Sequence, residues 1–357
     1  MQTKIFSRRS HTAPLLFLLV FGAFINSGNV ALAQSDSVVV GPIKAQTIAL
    51  KAGWNAIHLE VEPLDSNPAA LFVDTPIEIV ASYFRPASSA EFIESPSELI
   101  SNRENWSVWY APDRDDALLS NLFAVQGHRG YLIYLEEDYT LRVEGAPTLG
   151  KTRWHPNAFS LVGFQIEASE QPTMANFFAS ADAQSPLKIY KMVAGRWALI
   201  TNPETEMLEA GVAYWAYSDG ASDFSGPLEV ELAVDSQGGL LYSESPGARR
   251  VVIRNIGTSP QNLTFNLTAG NAGTLPMAYI VTVLNAEDTE VEKQSVALPE
   301  SFTLGPLEAG QAFALDLEVD QSAVTLPIQS ALLTISTDAG VRRQIPIVSI
   351  RRDLLDQ

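Results

Sequence analysis

Ala312-Phe-Ala-Leu-Asp-Leu-Glu-Val319 puts Phe313, Leu315, Leu317 and Val319 on one face, and Ala312, Ala314, Asp316 and Glu318 on the other. A period of two is that of a β-strand with one buried face, because successive strand side chains point to opposite sides. Val251–Asn255, Leu263–Leu267, Tyr279–Leu284, Leu332–Ser336 and Ile345–Ile350 are short runs of the same kind. Between them stand Asn255-Ile-Gly257, Glu308-Ala-Gly310 and Asp338-Ala-Gly340, which supply the residues tight turns need. This spacing predicts an immunoglobulin-like β-sandwich over residues 236–353. Its inward positions are Val251, Ile253, Phe265, Phe313, Leu315, Leu317, Leu333 and Ile335. Gln237-Gly238-Gly239 marks the joint to what precedes, and Ser236–Arg352 is expected to fold alone, with few contacts across that joint.

Upstream, Val38–Val40, Thr47–Leu50, Ala56–Val61, Ile77–Phe84, Trp106–Tyr110, Tyr131–Leu135 and Thr140–Val143 read as strands. Long helical periodicity is missing. Asn67-Pro68-Ala-Ala-Leu-Phe72 predicts a short helix with Asn67 as N-cap and Pro68 at its first position, and Ser95-Pro96-Ser-Glu-Leu-Ile100 is similar. The class is therefore all-β with a few short helices. After a lead and first strand over 34–49, the chain repeats itself, once over 50–149 and again over 150–235. Asn55–Leu59 corresponds to Asn157–Leu161, Tyr83 to Tyr190, Trp106 to Trp197, Gly130-Tyr131 to Ala213-Tyr214, and Arg142–Glu144 to Glu229–Glu231. The two small β repeats share their large aromatics and are expected to pack on each other.

Leu50-Lys-Ala-Gly-Trp-Asn-Ala-Ile57, then Glu62-Pro63, then Gly130-Tyr131-Leu-Ile133 resemble a tandem repeat of secreted bacterial surface proteins, in which a Gly-Trp-Asn strand opens each unit and a Gly-Tyr-Trp-type strand closes it. The second copy departs from that pattern at His155-Pro156. The C-terminal part resembles the immunoglobulin-like domains of exported bacterial proteins. The resemblance implies a location and a fold but no activity.

The N-terminus agrees with that location. Lys4, Arg8 and Arg9 precede the apolar run Leu15–Ile25, which is too short to span a bilayer as a helix. Ala31-Leu32-Ala33 follows as a small-x-small site, so residues 1–33 are expected to be a signal peptide cleaved before Gln34, leaving no membrane insertion. The net charge of −18 becomes −21 when the three basic residues leave with the signal. So acidic a surface repels phosphate backbones and anionic headgroups, which argues against nucleic-acid partners. With no cysteine, the chain has no disulfide, thiolate metal site or thiol nucleophile and must rely on sizeable cores.

Candidate chemistry is sparse. His58, His128 and His155 stand in no metal-type spacing. His58, between Ile57 and Leu59, is expected to face outward. No nucleophile elbow or phosphate loop is present. Asp113, Asp115 and Asp116, like Glu136, Glu137 and Asp138, read as solvated turns; calcium is the one cofactor the first cluster could take, and it lacks the glycine and distal glutamate of an EF-hand loop. The chain is expected not to be an enzyme. Trp106, Trp109, Tyr110, Tyr131, Trp197 and Trp215 are the candidate binding residues, as a stacking platform for sugars or an anchor for a protein. Core packing competes, since burying such a ring contributes roughly 4–6 kcal/mol. Alternation puts Trp106 and Trp109 on opposite faces, so one should lie at a surface or between the repeats.

Two readings follow. The first is a non-catalytic exported structural or binding module (adhesion, scaffold or surface association) acting through protein or glycan contacts at the cell surface, including with a larger exported protein encoded nearby. The second is a carbohydrate-binding accessory protein; exposure of Trp106 or Trp109 in a groove would favour it. A buried His with a convergent carboxylate would revive a hydrolase.

Overall fold

The computed structural model describes residues 41–83, 106–232, 238–243, 247–270, 273–284 and 291–354, all of which belong to one unit by their contacts. The signal segment with its cleavage site, the strand at 38–40, Phe84, the helical turn at 95–100 and the joint residues 235–237 lie outside the described residues. Strands dominate, and the class is all-β.

The first part runs β1 (Lys44–Leu50), β2 (Gly53–Leu59), β3 (Val61–Pro63), α1 (Pro68–Phe72), β4 (Ile77–Tyr83), β5 (Trp106–Tyr110), β6 (Arg129–Leu135) and β7 (Tyr139–Pro147). Four strands pair in the order β2-β6-β4-β5, and three in the order β1-β7-β3. Leu50, Ile57, Leu59, Val61, Val80, Tyr131 and Ile133 form a shared core, closed by Phe72 of α1, whose ring lies 5.5 Å from that of Trp109. Helix α1 starts as its sequence demands: the Asn67 side chain accepts a hydrogen bond from the Ala69 N–H at 3.0 Å, and Pro68 fills the first turn. Asn67→Ala is expected to cost about 1 kcal/mol in a denaturant titration; an unchanged midpoint would show that α1 is held by Phe72 alone.

The second part contains β8 (Ala158–Val162), α2 (Met174–Phe177), β9 (Ile189–Val193), β10 (Arg196–Leu199) and β11 (Tyr214–Ser218). Its sheet has the order β8-β11-β9-β10, the same progression as β2-β6-β4-β5. Tyr131 and Tyr214 hold matching places, each hydroxyl accepting a backbone N–H from five residues upstream, Gln126 and Glu209 respectively. Opposite Tyr131 is Ile57, and opposite Tyr214 is Val162. By letters Ile57 corresponds to Phe159, whereas by strand pairing it corresponds to Val162, an offset of three residues. Phe159 instead takes the place of Trp54: their rings lie 5.1 Å from Tyr217 and 5.3 Å from Tyr134. Trp106 and Trp197 keep their correspondence. The offset arises because Asn157-Ala158 copies Asn55-Ala56 in letters while ring packing sets the register.

The third part is a sandwich of two five-stranded sheets. One holds β12 (Leu228–Leu232), β14 (Arg249–Asn255), β19 (Ala312–Val319), β16 (Met277–Leu284) and β17 (Val291–Ala297), in that order. The other holds β13 (Leu240–Tyr242), β21 (Arg342–Ile350), β20 (Ile328–Thr337), β15 (Gln261–Ala269) and β18 (Ser301–Leu307). Seven of the eight expected inward residues are buried, and Phe313 is half-buried, edge-on to Phe265 at 6.3 Å.

Two expectations about the joint are corrected. Glu229–Glu231, read as the closing strand of the second repeat, lies in β12 and pairs with β14 of the sandwich. Contacts across the joint are many, and one continuous core runs from Trp154, Phe164 and Phe177 to Val251, Phe265 and Ile345. The β20–β21 turn docks into the second part: Glu167 N–H donates to Gly340 O at 2.9 Å, Arg342 N–H donates to Gln165 O at 3.0 Å, and Ile166 bridges Val341. Gly340 has φ +76°, and a Cβ there would stand 1.4 Å from Glu170 O. Alternation shows which face of a strand is buried; it carries no information about what meets the strand's end.

Candidate functional site

Trp106, Trp109, Tyr131, Trp197 and Trp215 are buried, and Tyr110 is half-buried. Trp109 and Tyr131 belong to the core of the first part. Trp106, Trp197 and Trp215 lie in the seam where the two four-stranded sheets face each other; Trp215 sits 6.3 Å from Trp106 and 6.2 Å from Trp197, edge-on to both. As a sugar-stacking platform the set is thereby corrected: five of its six rings are buried, three in the seam and two in the core of the first part. Of the two places the alternation leaves for Trp106 or Trp109, a surface or the seam between the repeats, Trp106 takes the seam.

Trp109 and Tyr110 do border a surface groove, together with Asn67, Leu118 and Phe123. The chain from 111 to 125 follows the free edge of β5 and satisfies it: Val108 N–H donates to Asn121 Oδ1 at 2.6 Å, and Tyr110 N–H to Ser120 Oγ at 3.0 Å. Arg114 clasps this loop to the sheet by pairing with Glu78 and Asp116, and it lies 5.9 Å over the Tyr110 ring. That hydrogen bond holds the Asp116 carboxyl below its ordinary range. One of the three acids considered for calcium is thus engaged by an arginine, and no cluster able to hold a metal occurs among the described residues. The second acidic cluster is a tie as well, Asp138 accepting from Lys51 Nζ at 2.7 Å and Ala52 N–H at 2.9 Å. With its backbone so engaged, the loop presents Leu118 at 97% exposure, Leu119 at 71% and Phe123 at 81%.

The histidines, scattered in sequence, converge. His58, His128 and His155 line one cavity of about 250 Å³. His58 is buried, against expectation, because β2 is covered on both faces and its free edge pairs with the second part: His58 N–H donates to Gly211 O at 2.8 Å, and Ala213 N–H to Ala56 O at 3.1 Å. The His58 and His128 rings are 6.1 Å apart. Two glycines make room for them. A Cβ on Gly163 would lie 2.3 Å from His58 Cβ, and one on Gly150 would lie 2.4 Å from the His128 ring. His128 Nε2 donates to Thr148 O at 2.9 Å, while the buried His58 Nδ1 has no partner among the described residues. Burial, with His128 nearby, pushes the His58 pKa down to about 3. Burial also lowers that of His128, against the Thr148 bond that favours its charged form.

The other polar walls are cationic. Arg129, Lys151, Arg153 and Arg343 line the cavity, and among the described residues no Asp or Glu does. Lys151, Arg153 and His155 are exposed at the rim; Arg343 is buried at the floor, with Nε donating to Leu228 O at 3.0 Å and Nη2 to Ser225 O. Ser225 Oγ is occupied by Thr152 N–H and Asp223 O rather than by a histidine.

No family model matches this chain, and no curated protein does. Similar solved structures include a FixG-related protein from Vibrio parahaemolyticus, at 8% identity over 35% of this chain and 94% of that one, with a TM-score of 0.21. A second is the ASH/PapD-like domain of human CEP192, at 11% identity over 35% and 84%, with a TM-score of 0.21. A third is the secreted serine protease VesC from Vibrio cholerae, at 9% identity over 80% and 71%, with a TM-score of 0.23. At such scores these likenesses support no statement about function. Among the described residues no helix is long and apolar enough to cross a membrane.

Proposed function

We propose that the chain is an exported, non-catalytic binding module that acts through contact with a protein at the cell surface. The observation that carries this reading is the loop of Leu118, Leu119 and Phe123, three large apolar side chains held out to solvent on a backbone stitched to β5. Solvent-facing apolar clusters on an ordered frame mark interaction sites. Two further features support it over the alternatives. The tryptophans that would stack a sugar are in the cores, and among the described residues the convergent histidines have no carboxylate in their cavity to orient them as a catalytic base. The test compares labelled wild-type protein with a Leu118→Ser, Leu119→Ser, Phe123→Ser variant for saturable binding to cell envelopes of the producing organism. The expected result is at least about ten-fold weaker binding by a variant whose unfolding midpoint is unchanged, the scale of a lost interface anchor. Equal binding by both proteins would remove the loop from the interface.

A further inference from the structure

Arg343 is an anomaly in this chain. A guanidinium stays protonated in proteins, and a buried charge is normally paired. Arg343 is 5% exposed, yet among the described residues it forms no ion pair; two backbone carbonyls are its partners. Burial lowers its pKa to about 10, and the field of Glu229 offsets that only in part. On its open side lies the cavity of about 250 Å³ described above, with cationic side chains at its rim and no carboxylate among the described residues of its walls. In a chain with 41 acidic and 23 basic residues, a cavity whose described lining includes Lys151, Arg153, Arg343, three histidines and no acid is a local reversal of sign. Such an inversion focuses anions into a concave site even against a negative net charge. His58 Nδ1, buried and without a partner among the described residues, adds a nitrogen that serves as a donor in the Nδ1–H tautomer.

We infer that this cavity is a binding site for a compact oxyanion, a phosphate, sulfate or carboxylate group seated beside Arg343 between the rim of Lys151 and Arg153 and the two inner histidines. The volume lies below the roughly 300–1,000 Å³ of sites for drug-sized ligands, so the anion is small, or is one substituent of a larger molecule such as an acidic sugar. Bound there, it supplies the counter-charge that Arg343 lacks in the protein itself, and planar guanidinium recognition of oxyanions is the strong form of that contact.

The test is a thermal-unfolding and calorimetric titration of the purified chain at neutral pH with sodium phosphate, sodium sulfate and glucuronate, against sodium chloride at matched ionic strength. Saturable binding with a raised melting temperature is expected for at least one of the three over chloride. Binding of the inorganic ions points to a free anion, and binding of glucuronate alone points to a carboxylate carried on a sugar; either outcome supports the site. Because Arg343→Met removes a buried group and can unfold the protein, the decisive variant is Lys151→Glu with Arg153→Glu at the exposed rim. It should fold normally and bind about ten-fold or more weakly, as befits the loss of two charge-assisted contacts. No binding above chloride by any of the three, or binding unchanged in the rim variant, would overturn the assignment. The surface loop plays no part in this titration, so its role and that of the cavity stand or fall separately.

Discussion

Replacing Arg342 by Ala should lower the stability of the whole chain by about 3–5 kcal/mol. Its guanidinium pairs with Glu60 of the first part and lies 3.8 Å from Glu167 of the second, and Lys44 Nζ reaches Gln344 Oε1 beside them at 3.3 Å. Glu60 is 4% exposed, and burial already pushes its carboxyl pKa up, with Arg342 and then Lys44 holding it down. Removing the arginine strands a buried carboxylate, which costs far more than an exposed pair. With its folded pKa raised further, Glu60 binds a proton more readily in the folded than in the unfolded state. The variant should therefore lose stability as pH rises above the ordinary carboxylate range, more steeply than wild type. Adding Glu60→Gln to the variant should restore part of the loss. Urea titrations of the three proteins decide it, and a single-variant cost under about 1 kcal/mol, the level of a surface pair, would mean the junction does not depend on this charge.

The second large effect is a loss of stability in mild acid. His58 titrates near 6.5 when unfolded and near 3 in the folded chain. Below 6.5 the unfolded chain takes up a proton that the folded chain refuses. Stability is therefore complete above that value and falls as pH drops toward 3. At about pH 4 the cost from His58 alone is roughly 3 kcal/mol, at 1.36 kcal/mol for each pH unit below the unfolded value. His128, also lowered by burial, acts in the same direction. Carboxylates titrate in the same range, so the informative quantity is the difference between wild type and His58→Asn. That difference should shrink as pH is lowered from neutrality; parallel curves would show that His58 does not stay neutral in the fold.

Period-two alternation is enough to place Leu315, Leu317 and Val251 inside the sandwich, because β14 and β19 each have one covered face, whereas β20, which carries Ile335, is buried on both sides over Gln329–Leu333. The same rule misplaced His58, whose strand is covered on both. It separates Trp106 from Trp109 and leaves a surface or the seam between the repeats for one of them; the structure puts Trp106 in the seam, against Trp215. The existence of a second copy is readable from its aromatics, whereas its register is not, since three residues of slip leave the letters Asn-Ala aligned and the rings apart. The cavity left no local signal: His58, His128, His155 and Arg343 are far apart in the chain, and only the closure of three parts around Gly150 and Gly163 brings them together. Its one trace in the sequence is compositional, Lys151-Thr-Arg153 and Arg342-Arg343 in a chain otherwise dominated by acids.

Strand β12 has a consequence for how such a chain is inherited. Leu228 and Val230 follow the second sheet in the gene yet fill the sandwich in space. A recombination event with its breakpoint at Gly238-Gly239 would therefore donate a sandwich with an unpaired edge at β14 and leave behind a recipient ending in an orphan strand. An open edge of that kind recruits strands from other chains. The glycine pair looks like a boundary between cassettes, but a continuous core crosses it, and the contacts of one unit take in β1 through β21.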